Sequence, residues 1–186
     1  MSFLGIRIQP DVARLVRDID IPGIKSDSAQ LHITLLHLGK EVPIKHIAKA
    51  MTATFGITSK TEPFWAKITS VNYFEPLENK PYPIIAPVIS SELMKMQKSL
   101  KRAFNKARID YSKNFKDYNP HITLSLHNEP INKTKIEPIE WTIQEIVLWG
   151  GDDGDEKCSV IFPLEIPKNG EISELCCLES EKDMTG

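Results

Sequence analysis

Leu31-His32-Ile33-Thr34-Leu35-Leu36-His37-Leu38-Gly39 and Pro120-His121-Ile122-Thr123-Leu124-Ser125-Leu126 share the same four consecutive residues, His-Ile-Thr-Leu. Side chains of an extended chain alternate between two faces, so Leu31, Ile33 and Leu35 take one side and His32 and Thr34 the other. Ile122, Leu124 and Leu126 stand likewise opposite His121, Thr123 and Ser125. Each stretch reads as a strand with one buried face and one face carrying an imidazole and a hydroxyl.

Working outward, similar elements precede both stretches. Phe3 to Ile8 is a short apolar strand, and Pro10-Asp11 opens a helix with Val12, Leu15, Val16 and Ile19 on one face, broken at Pro22-Gly23. In the second cycle Ile84 to Ile89 is a strand in which Pro87 suits an edge or a bulge. Ser90 or Ser91 then caps a helix reaching about Arg108, with Leu93, Met96, Leu100, Ala103, Phe104 and Ala107 as its apolar stripe. Residues 3 to 38 and 84 to 126 are therefore copies of one unit, and two related lobes should face each other.

Between the copies, Pro43 suits a first helical position, Ile44, Ile47, Ala48 and Met51 continue the helix, and Gly56 is placed to stop it. Phe64 to Phe74 is rich in aromatic and β-branched residues and reads as a strand. Trp141 to Trp149 and Lys157 to Ile166 read as two strands closing a hairpin across a flexible acidic connection, Gly150 to Asp155. Beyond Pro167 periodicity fades. The expectation is one bilobal domain over residues 1 to 167 and a flexible acidic tail over 168 to 186.

Composition bounds the function. The 186 residues are 41% hydrophobic and 26% charged, with a net charge of -2, which suits a folded soluble chain and not a broad basic grip on long duplex DNA. Cys158, Cys176 and Cys177 have neither metal-ligand nor disulfide-framework spacing, and free thiols suit a reducing cytoplasm. The N-terminus lacks an export leader, and no apolar run approaches the roughly 20 residues of a membrane span. A cytoplasmic monomer without a membrane partner is expected.

The chemistry sits on the polar strand faces. His at i and Thr at i+2 lie roughly 6 to 7 Å apart along a strand, close enough to serve one phosphate. Side by side, the two stretches bring together two imidazoles that can share proton transfers and two hydroxyls that can donate to non-bridging phosphate oxygens. A single His-x-Thr is more often surface or core. Two identical copies on matching strand faces ask for more, because packing alone selects only the Ile and the Leu.

These residues resemble the two-histidine (2H) phosphoesterase superfamily, which includes bacterial 2'-5' RNA ligase-like proteins and 2',3'-cyclic phosphodiesterases. Its hallmark is a pair of His-hydrophobic-Thr/Ser-hydrophobic motifs, matched by His32-Ile33-Thr34-Leu35 and His121-Ile122-Thr123-Leu124. The likeness extends over residues 1 to 166, including Phe74 and Pro120. It implies an α+β fold, bilobal and pseudo-twofold, with two antiparallel sheets flanking a central cleft and helices outside. The run Leu31 to Lys40 looks most like phage-encoded and related bacterial members, some of which cleave cyclic oligonucleotide signals of antiviral defence.

The remaining candidates carry less. His37 shares the parity of Ile33 and should point away from the cleft, His46 lies on a helix, and His127 stands roughly 20 Å along the strand from His121. Asp152, Asp153 and Asp155 occupy a glycine-rich turn without metal-ligand spacing, so neither a metal nor a cofactor is expected. Among Trp65, Tyr73, Phe74, Tyr118 and Trp149, one or two should stack on a base, and Tyr118 and Trp149 are the candidates retained. Arg7 and the basic run from Lys95 to Lys116 read mainly as solvated surface.

The sequence thus points to a metal-independent phosphodiesterase acting on a nucleotide, an RNA end or a cyclic oligonucleotide, with His32 and His121 as catalytic pair and Thr34 and Thr123 as phosphate ligands. Hydrolysis outranks ligation in bulk water. The alternatives are a phage anti-defence enzyme, a non-catalytic nucleotide-binding module or sponge, and a structural domain that keeps the motifs only by ancestry.

Overall fold

The computed structural model describes residues 1–76, 78–113, 117–150 and 158–164. Their elements are β1 (Ser2–Arg7), α1 (Pro10–Arg17), β2 (Ile24–Lys25), β3 (His32–Gly39), α2 (Ile44–Thr58), β4 (Phe64–Tyr73), β5 (Tyr82–Pro87), α3 (Ser91–Ala107), β6 (His121–His127), β7 (Thr134–Ile143), β8 (Glu145–Gly150) and β9 (Cys158–Pro163). The acidic connection beyond Gly150 and the tail beyond Pro167 lie outside the described residues.

All the pairings are antiparallel, and the strands follow one path, β7-β4-β5-β6-β3-β1-β8-β9, with β2 added beside β6. The middle of the path is its narrowest point. β3 and β6 pair at Ile33↔Ile122 alone, so two four-stranded sets meet at one residue pair and diverge on either side. Both isoleucines have 0% exposure, and the halves are joined further by the packing of α2 on α3 and by the pairing of β2 with β6. The fold is the mixed α+β arrangement expected.

The halves repeat each other in register. Arg7 faces His32 and Ile6 faces Ile33, just as Pro87 faces His121 and Ala86 faces Ile122. Ile8 donates its N–H to the Leu31 carbonyl at 3.0 Å, and Val88 donates to the Pro120 carbonyl at 2.8 Å. Each half also carries the same defect. Leu4 pairs with Leu36 but Gly5 with Thr34, which leaves Leu35 as an extra residue. Ile84 pairs with Ser125 but Ile85 with Thr123, which leaves Leu124 extra. Such a bulge inverts the side-chain alternation beyond it.

The helices fit their apolar stripes, with some corrections. In α3, Ser90 caps the first turn by accepting from the Leu93 N–H at 3.3 Å, and Leu93, Met96, Leu100 and Phe104 are buried. Fully burying each such side chain contributes about 1.5–3 kcal/mol. In α1 the buried residues are Val12, Ala13 and Val16, whereas Leu15 is 55% exposed. Gly56 does not end α2: Pro43 is the N-cap, and the helix runs through Gly56 to Thr58.

Two strand expectations shift. The stretch Trp141 to Trp149 is two strands, because β7 pairs with β4 in one half and β8 with β1 and β9 in the other. The break is at Gln144, whose carbonyl accepts the Leu164 N–H at 2.7 Å. β7 begins at Thr134, seven residues before the expected start. The hairpin of β8 and β9 forms in register from Glu145↔Pro163 to Gly150↔Cys158. Pro87, the last residue of β5, lies beyond the Asn72↔Ile85 and Tyr73↔Ile84 pairs with β4, so its missing N–H breaks no ladder bond there.

Gly5 is fixed by close approach. A Cβ there would meet the Ile33 carbonyl oxygen at 2.6 Å and the Trp149 ring at 3.0 Å. Gly5→Ala should therefore destabilise the fold by about 1–3 kcal/mol through overpacking, measured as a lower urea midpoint. An unchanged midpoint would show that β1 and β8 have slack.

Candidate active site

Antiparallel pairing at Ile33↔Ile122 puts the neighbours of those residues on the opposite face, His32 across from Thr123 and Thr34 across from His121. The two histidines are then diagonal to each other across the pair. One face of the junction therefore carries two imidazoles, each with a hydroxyl beside it.

Both imidazoles are held by main chain. His32 Nδ1 lies 2.7 Å from the Gln30 carbonyl oxygen, and His121 Nδ1 lies 2.7 Å from that of Asn119. A carbonyl oxygen only accepts, so each Nδ1 carries the hydrogen and donates it. That assignment leaves Nε2 of each ring as the atom that gains or loses a proton. The acceptor lies two residues upstream in both halves. Sequence reasoning could not find it, since every residue offers the same carbonyl.

Aromatic side chains wall the two histidines. Phe3 lies 4.9 Å from the His32 ring and stacks on Trp149 at 4.7 Å and 16°, and Trp149 is 5.8 Å from His32. In the other half Phe74 meets His121 edge-on at 4.7 Å and 89°. Phe74 and Trp149 occupy equivalent places: Trp149 pairs with Phe3, and the Phe74 N–H donates to the Pro83 carbonyl at 3.0 Å. Arg7 reaches over the Trp149 ring at 5.8 Å.

The other expected residues are distributed unevenly. Thr34 and Thr123 join the histidines on one face. Tyr118 packs against the core, and its buried hydroxyl has no partner among the described residues. Burial drives the Tyr118 hydroxyl well above the ordinary phenol range, so it keeps its proton. Trp65 is 68% exposed at the far end of β4, and Tyr73 packs on Tyr82. Ser125, expected beside His121, is buried and donates to the Pro22 carbonyl at 2.8 Å. His46 lies in the first turn of α2. His127 Nδ1 sits 2.9 Å from the Glu129 carbonyl.

His37 is the correction that matters. The bulge at Leu35 turns it onto the side of His32, where its ring lies 6.1 Å from the Phe3 ring. Half-buried, it stands near enough to both His32 and His121 for their charges to act on it. Among the described residues its buried Nδ1 has no partner, which favours the tautomer with hydrogen on Nε2, because an orphaned buried N–H is the rarer defect. Burial, then the charges of His32 and His121, hold His37 below the ordinary histidine range. His121 is held below it by burial, with a smaller push from His32, against a backbone hydrogen bond that acts the other way.

Among the described residues no three His, Cys, Asp or Glu side chains form a metal-holding group, and no helix is long and apolar enough to cross a membrane. Residues 8–155 match the family model of the 2'-5' RNA ligase superfamily. The chain belongs to that superfamily. Membership supports a phosphoesterase type of activity. The structure of TT0787 from Thermus thermophilus is similar, with a TM-score of 0.66 at 22% identity over 88% of this chain and 94% of that one. E. coli LigT complexed with 3'-AMP superposes with a TM-score of 0.61 at 19% identity, covering 88% and 94%. A structure described as a phosphoesterase gives 0.61 at 18%, covering 88% and 95%. These likenesses establish the superfamily fold. No curated protein sequence matches significantly.

A histidine whose folded form resists protonation leaves the unfolded chain binding more protons, so stability falls as pH drops. For His37 and His121 the loss should begin near the ordinary value of 6.5 and continue down through their lowered values. Urea unfolding of wild type and His37→Phe between pH 7.5 and roughly 5 measures it, the variant giving the shallower slope. Equal slopes would remove His37 from the linkage.

Proposed function

We propose that this protein is a metal-independent phosphodiesterase that opens 2',3'-cyclic phosphates or cuts short or cyclic oligonucleotides, with His32 and His121 as acid and base. The observation that carries the reading is the matched pair of Nδ1-to-carbonyl hydrogen bonds. It leaves two Nε2 atoms to serve one phosphate from opposite sides, which proton transfer to and from an in-line displacement requires.

His121, kept neutral by burial, suits the base. Its Nε2 removes a proton from the attacking water or ribose hydroxyl as the new P–O bond forms. His32 supplies a proton from Nε2 to the departing oxygen. Thr34 and Thr123 donate to the non-bridging oxygens, where charge accumulates in the transition state. Trp149, stacked on Phe3 beside His32, suits a nucleobase better than Tyr118, which is packed inward. E. coli LigT has been crystallised with 3'-AMP, ATP and NADP+, and nucleotides are the ligand class proposed here.

Turnover of a 2',3'-cyclic nucleotide should survive EDTA and follow a bell-shaped pH profile. His32→Ala and His121→Ala should each abolish it with the fold intact by circular dichroism, and near-normal rates in either would sink the acid/base assignment. Thr34→Val and Thr123→Val should each lower the rate by roughly tenfold to a thousandfold. A screen of cyclic mononucleotides and cyclic oligonucleotides, with the product phosphate position assigned, distinguishes the substrates. Saturable binding with ligand recovered intact would replace the enzyme by a binding module.

A further inference from the structure

A crevice of about 710 Å³ lies between the end of β1, α1 and the crossing from β7 to β8. Three arginines line it, Arg7, Arg14 and Arg17, with Glu145 as its one acidic lining residue. Arg14 and Arg17 are one helical turn apart on α1 and thus on one face. Among the described residues no carboxylate pairs with any of the three, the ion pairs being Lys67 with Glu140 and Lys95 with Glu92. Three unneutralised guanidinium groups around one concavity favour an anion, and Arg matches phosphate oxygens in a bidentate fork.

Arg7 connects this crevice to the reacting centre. It is the cross-strand partner of His32, and its guanidinium lies over Trp149, the ring beside His32. Arg7 is thus the residue that the crevice shares with the surroundings of His32, and neither histidine nor Trp149 lines the crevice itself. In the other half the residue equivalent to Arg7 is Pro87, paired with His121, and it offers an anion no charge. The crevice is also much larger than one phosphate needs and falls within the usual range of ligand pockets.

We infer that the crevice of Arg7, Arg14 and Arg17 is a subsite for the backbone phosphates of an RNA strand whose reacting phosphate lies between His32 and His121. The inference rests on the proposed function and narrows its substrate class to oligonucleotides, with a cyclic mononucleotide filling only part of the site. The bases are not read there. The contact is electrostatic and indifferent to sequence.

The test measures binding of 2'-O-methyl oligoadenylates with a 3'-phosphate, from one to six nucleotides, by fluorescence anisotropy across a series of salt concentrations. Wild type should bind tighter as length grows, by tenfold or more over the series. In the double variant Arg14→Glu/Arg17→Glu the gain should vanish, and the salt slope should fall by roughly 0.7 per lost phosphate contact. Arg14→Gln/Arg17→Gln should fall between the two, and 3'-AMP, too short to reach α1, should bind all three proteins alike. Length-independent binding in wild type, or an unchanged length dependence in the double variant, overturns the inference. Binding of inorganic tripolyphosphate that needs Arg14 and Arg17, with no effect of oligonucleotide length, would reassign the crevice to a small polyphosphate. Because the 2'-O-methyl group removes the ribose nucleophile and binding is read separately from turnover, length-dependent binding without turnover of cyclic nucleotides would reject the enzyme and leave the subsite standing.

Discussion

Everything that gives this molecule a site hangs on one contact, the pairing of Ile33 with Ile122. It is a single antiparallel pair between two sheets that otherwise diverge. That geometry brings the polar faces of two strands together at one place and opens them everywhere else. A longer ladder would flatten the halves into one continuous sheet and close the cleft. The edges left bare by the divergence are not left unpaired: β2 adds to β6, and the Ser112 N–H donates to the His37 carbonyl at 2.8 Å. Each half thus braces the histidine-bearing strand of the other, and cleft width becomes a property of the whole fold.

The duplication was legible because its signal is written in side chains. His-Ile-Thr-Leu occurs twice, the isoleucines and leucines face the core, and the α3 stripe has helical spacing, so the paired strands, the principal helix and the four central polar residues followed from alternation and periodicity. What failed was the assumption that alternation continues unbroken. A bulge at the last residue of the motif, Leu35 and again Leu124, carries His37 onto the side of His32 and Ser125 into the interior. Leu-Leu at 35 and 36 is compatible with either reading, since both are apolar. Only the neighbouring strand decides which one is extra.

The break at Gln144 differs in kind, for it was visible in principle. Trp141 and Ile143 are buried in alternation, whereas Ile146, Val147 and Leu148 are buried in succession, and that loss of alternation after the polar pair Gln144-Glu145 marks the point where the chain passes between halves. The early part of β7, from Thr134 to Glu140, offered no such sign, because charged residues and Pro138 conceal a strand whose pairing with β4 supplies the order. Arg7 shows the opposite limit. Its charge was evident from the sequence, but its place over Trp149 and beside His32 depends on three strands distant in the chain.

The hydrogen bonds from the two Nδ1 atoms to the carbonyls of Gln30 and Asn119 have a consequence for inheritance. The groups that aim the imidazoles are peptide oxygens, which no substitution at positions 30 or 119 can delete. Selection on the chemistry is thereby uncoupled from the letters that precede each histidine, which differ here between Gln-Leu and Asn-Pro. Descendants of such a chain can lose nearly all recognisable sequence around the site while the two rings keep their bearing.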